Sequence, residues 1–270
     1  MCLIAFALEA HPRYRLVLAG NRDEFHDRPA DPLAWWSDAP DVLGGRDLQA
    51  GGSWMALHRT GRLAAVTNVR EPGRAVPPQG GPSRGELVRG FVAGADEPLA
   101  HAQALAVESG GAALAGYRGF NLLGFAPTAG RLAGVWLSNR NPEPRPLAPG
   151  IHGLSNHLLN TPWPKVVALK GVLARALAES SPTDLIDTLF DGLADTRPVA
   201  DEMLPDTGVP HERERLLSAP FVLDSDYGTR ASTVVLVDAH GAVTVAERTW
   251  GPAGPAGGAL TERWVRLAAP

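Results

Sequence analysis

Two apolar runs separated by a polar turn open the chain, and together they leave little choice but a β-hairpin. Cys2 to Leu8 and Tyr14 to Ala19 are each long enough for a strand, with His11-Pro12-Arg13 between them. Antiparallel pairing sets the start of the first strand opposite the end of the second. Cys2 therefore faces the polar cluster Asn21-Arg22-Asp23-Glu24, and it is the only cysteine in the chain.

Position two gives that cysteine a particular chemistry. Initiator methionine is removed when the next residue is small, and removal here would leave a thiol and an α-amine on one residue. The α-amine titrates near ~8 and can act as a general base around neutral pH. A thiol near ~8.5 is partly ionised already, and Arg22 is expected to lower it further. Cys2 beside Arg22 then combines nucleophile, base and charge stabiliser. The alternative is a small apolar residue on a buried first strand, where free cysteines often sit. Position two and the facing polar cluster favour the nucleophile.

A chain of 270 residues can bury a sizeable core, and it is read as one domain over 1–270. A hydrophobic share of 44% and a formal net charge of −4 fit a soluble globular protein with no electrostatic reason to bind nucleic acid or an anionic membrane. Of the 25 basic residues only Lys165 and Lys170 are lysines, a bias read as base composition of the genome. One cysteine rules out an internal disulfide and any cysteine-cluster metal site. His152 and His157 lack the spacing of paired ligands on one helical face, and no catalytic metal is expected. Glu9, His11 and Arg13 follow the first strand too closely for a secretory signal. No run reaches the ~18 apolar residues that a bilayer demands. A cytoplasmic protein is expected, with oligomeric state left open.

Further along, Phe25 to Arg46 is rich in Pro, Asp and Trp and reads as irregular structure, with Trp35-Trp36 packing it over a sheet. Ser53 to His58 and Arg62 to Thr67 form a second hairpin. Asn68 to Pro82 reads as a Pro/Gly-rich loop. Asn68 and Arg70 sit where that strand feeds the loop and are candidate binding residues. Ser83 and Glu86 fit a capping box, which explains both without catalysis; Leu87, Val88, Phe91 and Val92 stripe the helix that follows. A helix over Pro98 to Val107, strands over Phe120 to Phe125 and Arg131 to Leu137, and a proline-rich loop over Asn139 to Pro149 come next.

Gly150 to Asn156 reads as a strand ending in a loop, and Pro164 near N1 starts a helix through about Leu177. Asn156 can donate its amide to a developing oxyanion or serve as a turn residue. A helix over Pro182 to Leu193 and a loop-rich stretch from Asp195 to Ser225 precede a buried strand from Tyr227, its partner Val243 to Thr249, and a last edge strand from Glu262 to Leu267. Arg230 enters the buried strand and is the late candidate for a substrate contact. Strands, two helices, strands, two helices and strands in that order suit an α+β fold, a four-layer αββα sandwich of two antiparallel sheets flanked by helices.

The ordered motifs carry a resemblance. Leu16 to Phe25, Gly44-Gly45-Arg46-Asp47, Gly51-Gly52-Ser53-Trp54, Ala65 to Arg70, Ser83 to Val88, Gly153 to Asn156, Thr161-Pro162-Trp163, Pro205 to Gly208 and Tyr227 to Arg230 resemble the family named for its Asn-Arg-Asp-Glu signature. It is also called the transport and Golgi organisation protein 2 family. The resemblance spans nearly the whole chain and implies an N-terminal nucleophile hydrolase-like domain. The distantly similar choloylglycine hydrolases and penicillin V acylases place an arginine and an aspartate three residues apart beside the cysteine; Arg22 with Asp23 or Glu24 stands there with a different spacing. In those enzymes a Thr-Asn or Ser-Asn pair at a place similar to Ser155-Asn156 steadies the oxyanion.

The expectation is an N-terminal cysteine amidohydrolase for a non-peptide amide or acyl conjugate. Cys2, Arg22, Asp23 and Asn156 would be catalytic, and Asn21, Glu24, Asn68, Arg70 and Arg230 would bind substrate, with no cofactor required. Haem trafficking, acyl-CoA and lipid handling, and secretory-pathway organisation in the family it resembles imply the alternative, a non-enzymatic haem or acyl-CoA/lipid carrier using the same pocket.

Overall fold

A computed structural model describes residues 2–70, 81–107, 114 and 116–269. The opening hairpin is β1 (Cys2–His11) and β2 (Tyr14–Phe25). Then come β3 (Ala30–Trp36), β4 (Ala39–Asp47), β5 (Met55–His58) and β6 (Leu63–Asn68). Helices α1 (Arg84–Ala93) and α2 (Pro98–Val107) follow. Strands β7 (Phe120–Thr128), β8 (Arg131–Ser138), β9 (Asn141–Pro146) and β10 (Gly150–Leu154) lead to α3 (Pro164–Ala176) and α4 (Pro182–Leu193). The short α5 (His211–Leu216) precedes β11 (Tyr227–Asp238), β12 (Val243–Thr249) and β13 (Thr261–Leu267).

These strands make two antiparallel sheets, one of six strands ordered β10-β1-β2-β11-β12-β13 and one of seven in chain order from β3 to β9. The sheets pack face to face. Alternation along β1 shows how. Cys2, Ile4, Phe6 and Leu8 enter the cluster between the sheets with Leu57, Phe125 and Trp136. Leu3, Ala5 and Ala7 point the other way, onto Val166, Leu169 and Leu173 of α3 and Leu185, Leu189 and Phe190 of α4. With both faces covered, the strand has to be apolar throughout, which is why it reads as an unbroken apolar run. Leu87, Val88, Phe91 and Val92 of α1 cover the outer face of the seven-stranded sheet with Ala102 of α2. The class is α+β. Among the described residues no helix is long and apolar enough to cross a membrane.

Two stretches expected to be irregular are strands. Phe25 to Arg46 contains β3 and most of β4, whose pairing carries two register shifts. Asn139 to Pro149 contains β9, paired to β8. Both β3 and β9 are sheet edges, where proline's missing N–H leaves no ladder bond unmade. The capping box is half made: Ser83 Oγ accepts from Gly85 N, and Glu86 N donates to Ser83 O. In the expected loop from Asn68 to Pro82, residues 71–80 lie outside the described residues.

Candidate functional site

Strand pairing sets the centre of the site. Cys2 pairs with Arg22 in the β1–β2 register, and both side chains face inward. They line a cleft of about 320 Å³ at the end of the sandwich, with residues from both sheets around it. Ser155 Oγ donates to the Cys2 carbonyl at 3.0 Å, so the β10–α3 loop clamps the first residue of β1.

Burial pushes the Cys2 thiol up, and Asp23 adds to the rise, while Arg22 acts in the opposite sense. The expectation that Arg22 leaves the thiol lowered is thereby corrected: removing a thiolate from water outweighs the neighbouring guanidinium. Arg22 is itself shared, with Glu24 Oε2 and Asp47 Oδ2 each 3.8 Å from Nη2. Arg28 Nε donates to Asp47 Oδ2 at 2.7 Å. A carboxylate–guanidinium lattice thus forms one wall, with Glu24 and Asp47 between Arg22 and Arg28.

Asp23 lies one residue on from Arg22 and turns its carboxyl to the helix side of the sheet. Its Oδ1 accepts from Thr229 Oγ1 at 2.7 Å, and its carbonyl accepts from Tyr227 OH at 3.1 Å. Burial pushes the Asp23 carboxyl up, with Lys165 pulling against it. Arg230 lines the cleft, and its Nη1 donates to the carbonyls of Phe25, His26 and Arg28, bracing the turn after β2.

Of the residues picked from sequence, Cys2, Arg22, Asp23, Glu24, Asn68 and Arg230 line the cleft, whereas Asn21, Arg70 and Asn156 do not. Asn21 is on the helix-facing side of β2, donating to the Leu193 and Pro220 carbonyls at 2.8 and 2.9 Å and accepting from Ser232 Oγ at 2.7 Å. Arg70 is spent on Glu214, 2.5 Å from Nη1 to Oε2, and on Thr207. Asn156 stands behind Asn68: its Nδ2 donates to Asn68 Oδ1 at 2.8 Å and to the Asn68 carbonyl at 3.3 Å.

Three cleft or near-cleft groups escaped the sequence reading. Glu247 lines the cleft, accepts from Leu33 N at 2.6 Å and Thr233 Oγ1 at 3.2 Å, and has its carboxyl pushed up by burial. Its signal was register, since Val243, Val245 and Glu247 fall on one face of β12. Asp47 was visible only as part of a glycine-flanked motif. Lys165, on the first turn of α3, is 2% exposed, and its Nζ has no hydrogen-bond partner among the described residues. Burial pushes it down to about 8. Also among the described residues, no group of three or more His, Cys, Asp or Glu is arranged to hold a metal ion.

Fold and site thus define an α+β protein of two antiparallel sheets with a cysteine-centred, arginine-rich cleft. The chain belongs to the Transport and Golgi organisation 2 family, whose sequence profile matches residues 1–252. It is 33% identical over 265 residues to the mouse Transport and Golgi organization 2 homolog, covering 92% of this chain and 93% of the relative. It is 34% identical over 264 residues to the human homolog, with the same coverage. The Drosophila melanogaster Transport and Golgi organization protein 2 is 30% identical over 277 residues, 92% of each chain.

Proposed function

We propose that this protein is an N-terminal cysteine amidohydrolase acting on a non-peptide amide or acyl conjugate, with its stacked sheets and outer helix pairs read as an N-terminal nucleophile sandwich. The observation that carries the reading is the placement of the chain's one thiol in register with Arg22, inside a cleft large enough for a small molecule. Removal of Met1 would put the α-amine at that same residue. The amine then takes the thiol proton as sulfur bonds to the substrate carbonyl carbon. Collapse of the adduct breaks the C–N or C–O bond, and the proton leaves with the departing group. Water cleaves the thioester and restores the thiol. A thiol held up by burial needs such a base, because at neutral pH it stays protonated.

Asn68 and Asn156 divide the oxyanion role in this reading. With its oxygen held by Asn156, the Asn68 amide nitrogen is the donor left for the cleft. Asn156 positions it, and Arg22 and Asp23 orient the processed terminus. Glu24 and Arg230 frame the substrate.

A second reading draws on the word transport in the relatives' name, with an acyl-CoA or lipid held in the same cleft without turnover. Haem fits these residues poorly. Among the described residues Cys2 is the one soft ligand lining the cleft, no His, Met or Tyr lines it, and burial favours the neutral thiol.

Intact mass before and after a cysteine-directed acylating probe separates the readings. Loss of Met1 with labelling that Cys2→Ala abolishes is expected. Retained Met1 with an inert thiol would end the hydrolase reading and leave the carrier, to be followed by acyl-CoA titration.

A further inference from the structure

Lys165 is unexplained by anything above. It stands at the start of α3, on the side of the six-stranded sheet away from the cleft, and it is one of only two lysines in the chain. An ammonium 2% exposed with no hydrogen-bond acceptor among the described residues is a costly thing to keep. An apolar residue would suit its surroundings better, since Val166 and Leu169 beside it pack into the outer core.

The charged groups that act on it come from four places: Asp23 on β2, Arg70 after β6, Cys2 on β1 and Glu214 on α5. Arg70 and Glu214 are paired to each other at 2.5 Å and act on Lys165 in opposite senses, Arg70 the more strongly. Arg22, across the sheet, is held by Glu24 and Asp47. Asp23 is left as the carboxylate that Lys165 can answer, and the action is mutual, because Lys165 favours the ionised form of Asp23.

We propose that Lys165 is a positioning residue of the Cys2 site: its buried ammonium, set behind the sheet on the side to which Asp23 turns, holds that carboxylate ionised so that Asp23 can anchor the α-amine of processed Cys2. The inference rests on the hydrolase reading for its purpose, but the charge coupling can be measured without turnover. Asp23 disfavours the Cys2 thiolate. Lys165 therefore reaches the thiol in two opposite ways, directly as a positive charge and indirectly through Asp23. The sign of its effect tells which route operates.

Two lysines make the first arm clean. Protein labelled with ¹³C at lysine Cε gives two resonances, assigned with Lys170→Arg, and each is titrated in wild type and in Asp23→Asn. Loss of the carboxylate should weaken proton binding at Lys165 about tenfold, the size expected for a close charge partner. An unmoved Lys165 midpoint overturns the pairing. The second arm follows alkylation of the single thiol with iodoacetamide against pH. At pH 7, where Lys165 still carries its proton, Lys165→Met should give about threefold faster alkylation, as Asp23→Asn does. In the Asp23→Asn background it should add nothing. Unchanged or slower alkylation at pH 7 overturns the route through Asp23. Either result stands whether or not an amide is ever found to be cleaved.

Discussion

Burying an ammonium lowers stability, and Lys165, with no acceptor among the described residues, should show this in its pH dependence. A lysine moved from 10.5 to about 8 by burial corresponds to roughly 3 kcal/mol lost at neutral pH. The unfolded chain keeps this proton up to the higher value, whereas the fold releases it at the lower one. Stability from this group is therefore present above about 10.5 and is lost as pH falls through about 8. Lys165→Met should raise the unfolding free energy at pH 7 by on the order of 1–3 kcal/mol, and the gap should narrow to under about 1 kcal/mol at pH 10, as chemical denaturation at both pH values will show. Equal midpoints at neutral pH would mean that the ammonium is better compensated than its contacts indicate. Sequence made Cys2 and Arg22 legible, because position two and a short hairpin place them together without any distant contact. Lys165 was counted and passed over. Its meaning lies in burial, which depends on α3 docking across β1, and the one hint was a lysine kept where arginine was the chain's habit.

Elements divide in the same way. Strand β1, α1 and α4 read well because each buries a long stripe of its own: Leu185, Ile186, Leu189, Phe190 and Leu193 identify α4 almost unaided. Strands β3 and β9 did not, since edge strands tolerate prolines that would forbid a central one. What holds helix α5, inside the stretch read as loop-rich, was not legible in the sequence. At six residues it cannot persist alone. Glu214 holds it, binding Arg70 at 2.5 Å and Thr207 N at 3.0 Å, while the Arg70 guanidinium lies 4.8 Å from the Trp163 ring centroid. Arg70 looked like a site residue because it ends a strand; its partner is 144 residues away. Removing one member of so buried a pair leaves the other uncompensated, at about 3–5 kcal/mol. Glu214→Ala should lower stability by that order and speed amide exchange across 195–226 ahead of the sheets. Uniform acceleration over the whole chain would instead mean that α5 unfolds only with the core.

At the scale of the molecule, the cleft exists because the two sheets part at the Cys2 end, and its wall is finished by the last strand. Element order pointed to two sheets, yet not to which strands would be neighbours: β11 pairs beside β2, with Val234 opposite Ala19, after most of the chain has intervened. The family profile stops at residue 252, before β13 begins at Thr261. Leu260 and Thr261 nevertheless line the cleft, Val265 and Leu267 pack against the inter-sheet core, and Arg263 Nη1 donates to the Leu33 carbonyl of the opposite sheet at 2.9 Å. Strand β13 thus covers the edge of β12 and ties the sheets together beside the site. A chain ending at residue 252 should expose that edge and open the cleft. Unpaired strand edges invite association, so the truncated protein should melt several degrees lower and elute as larger species in size-exclusion chromatography. A truncated protein that elutes as the full chain does, with an unchanged melting temperature, would show that β12 closes the sheet unaided. The wall that Leu260 and Thr261 supply would then bear on which ligand enters rather than on whether the sheets hold.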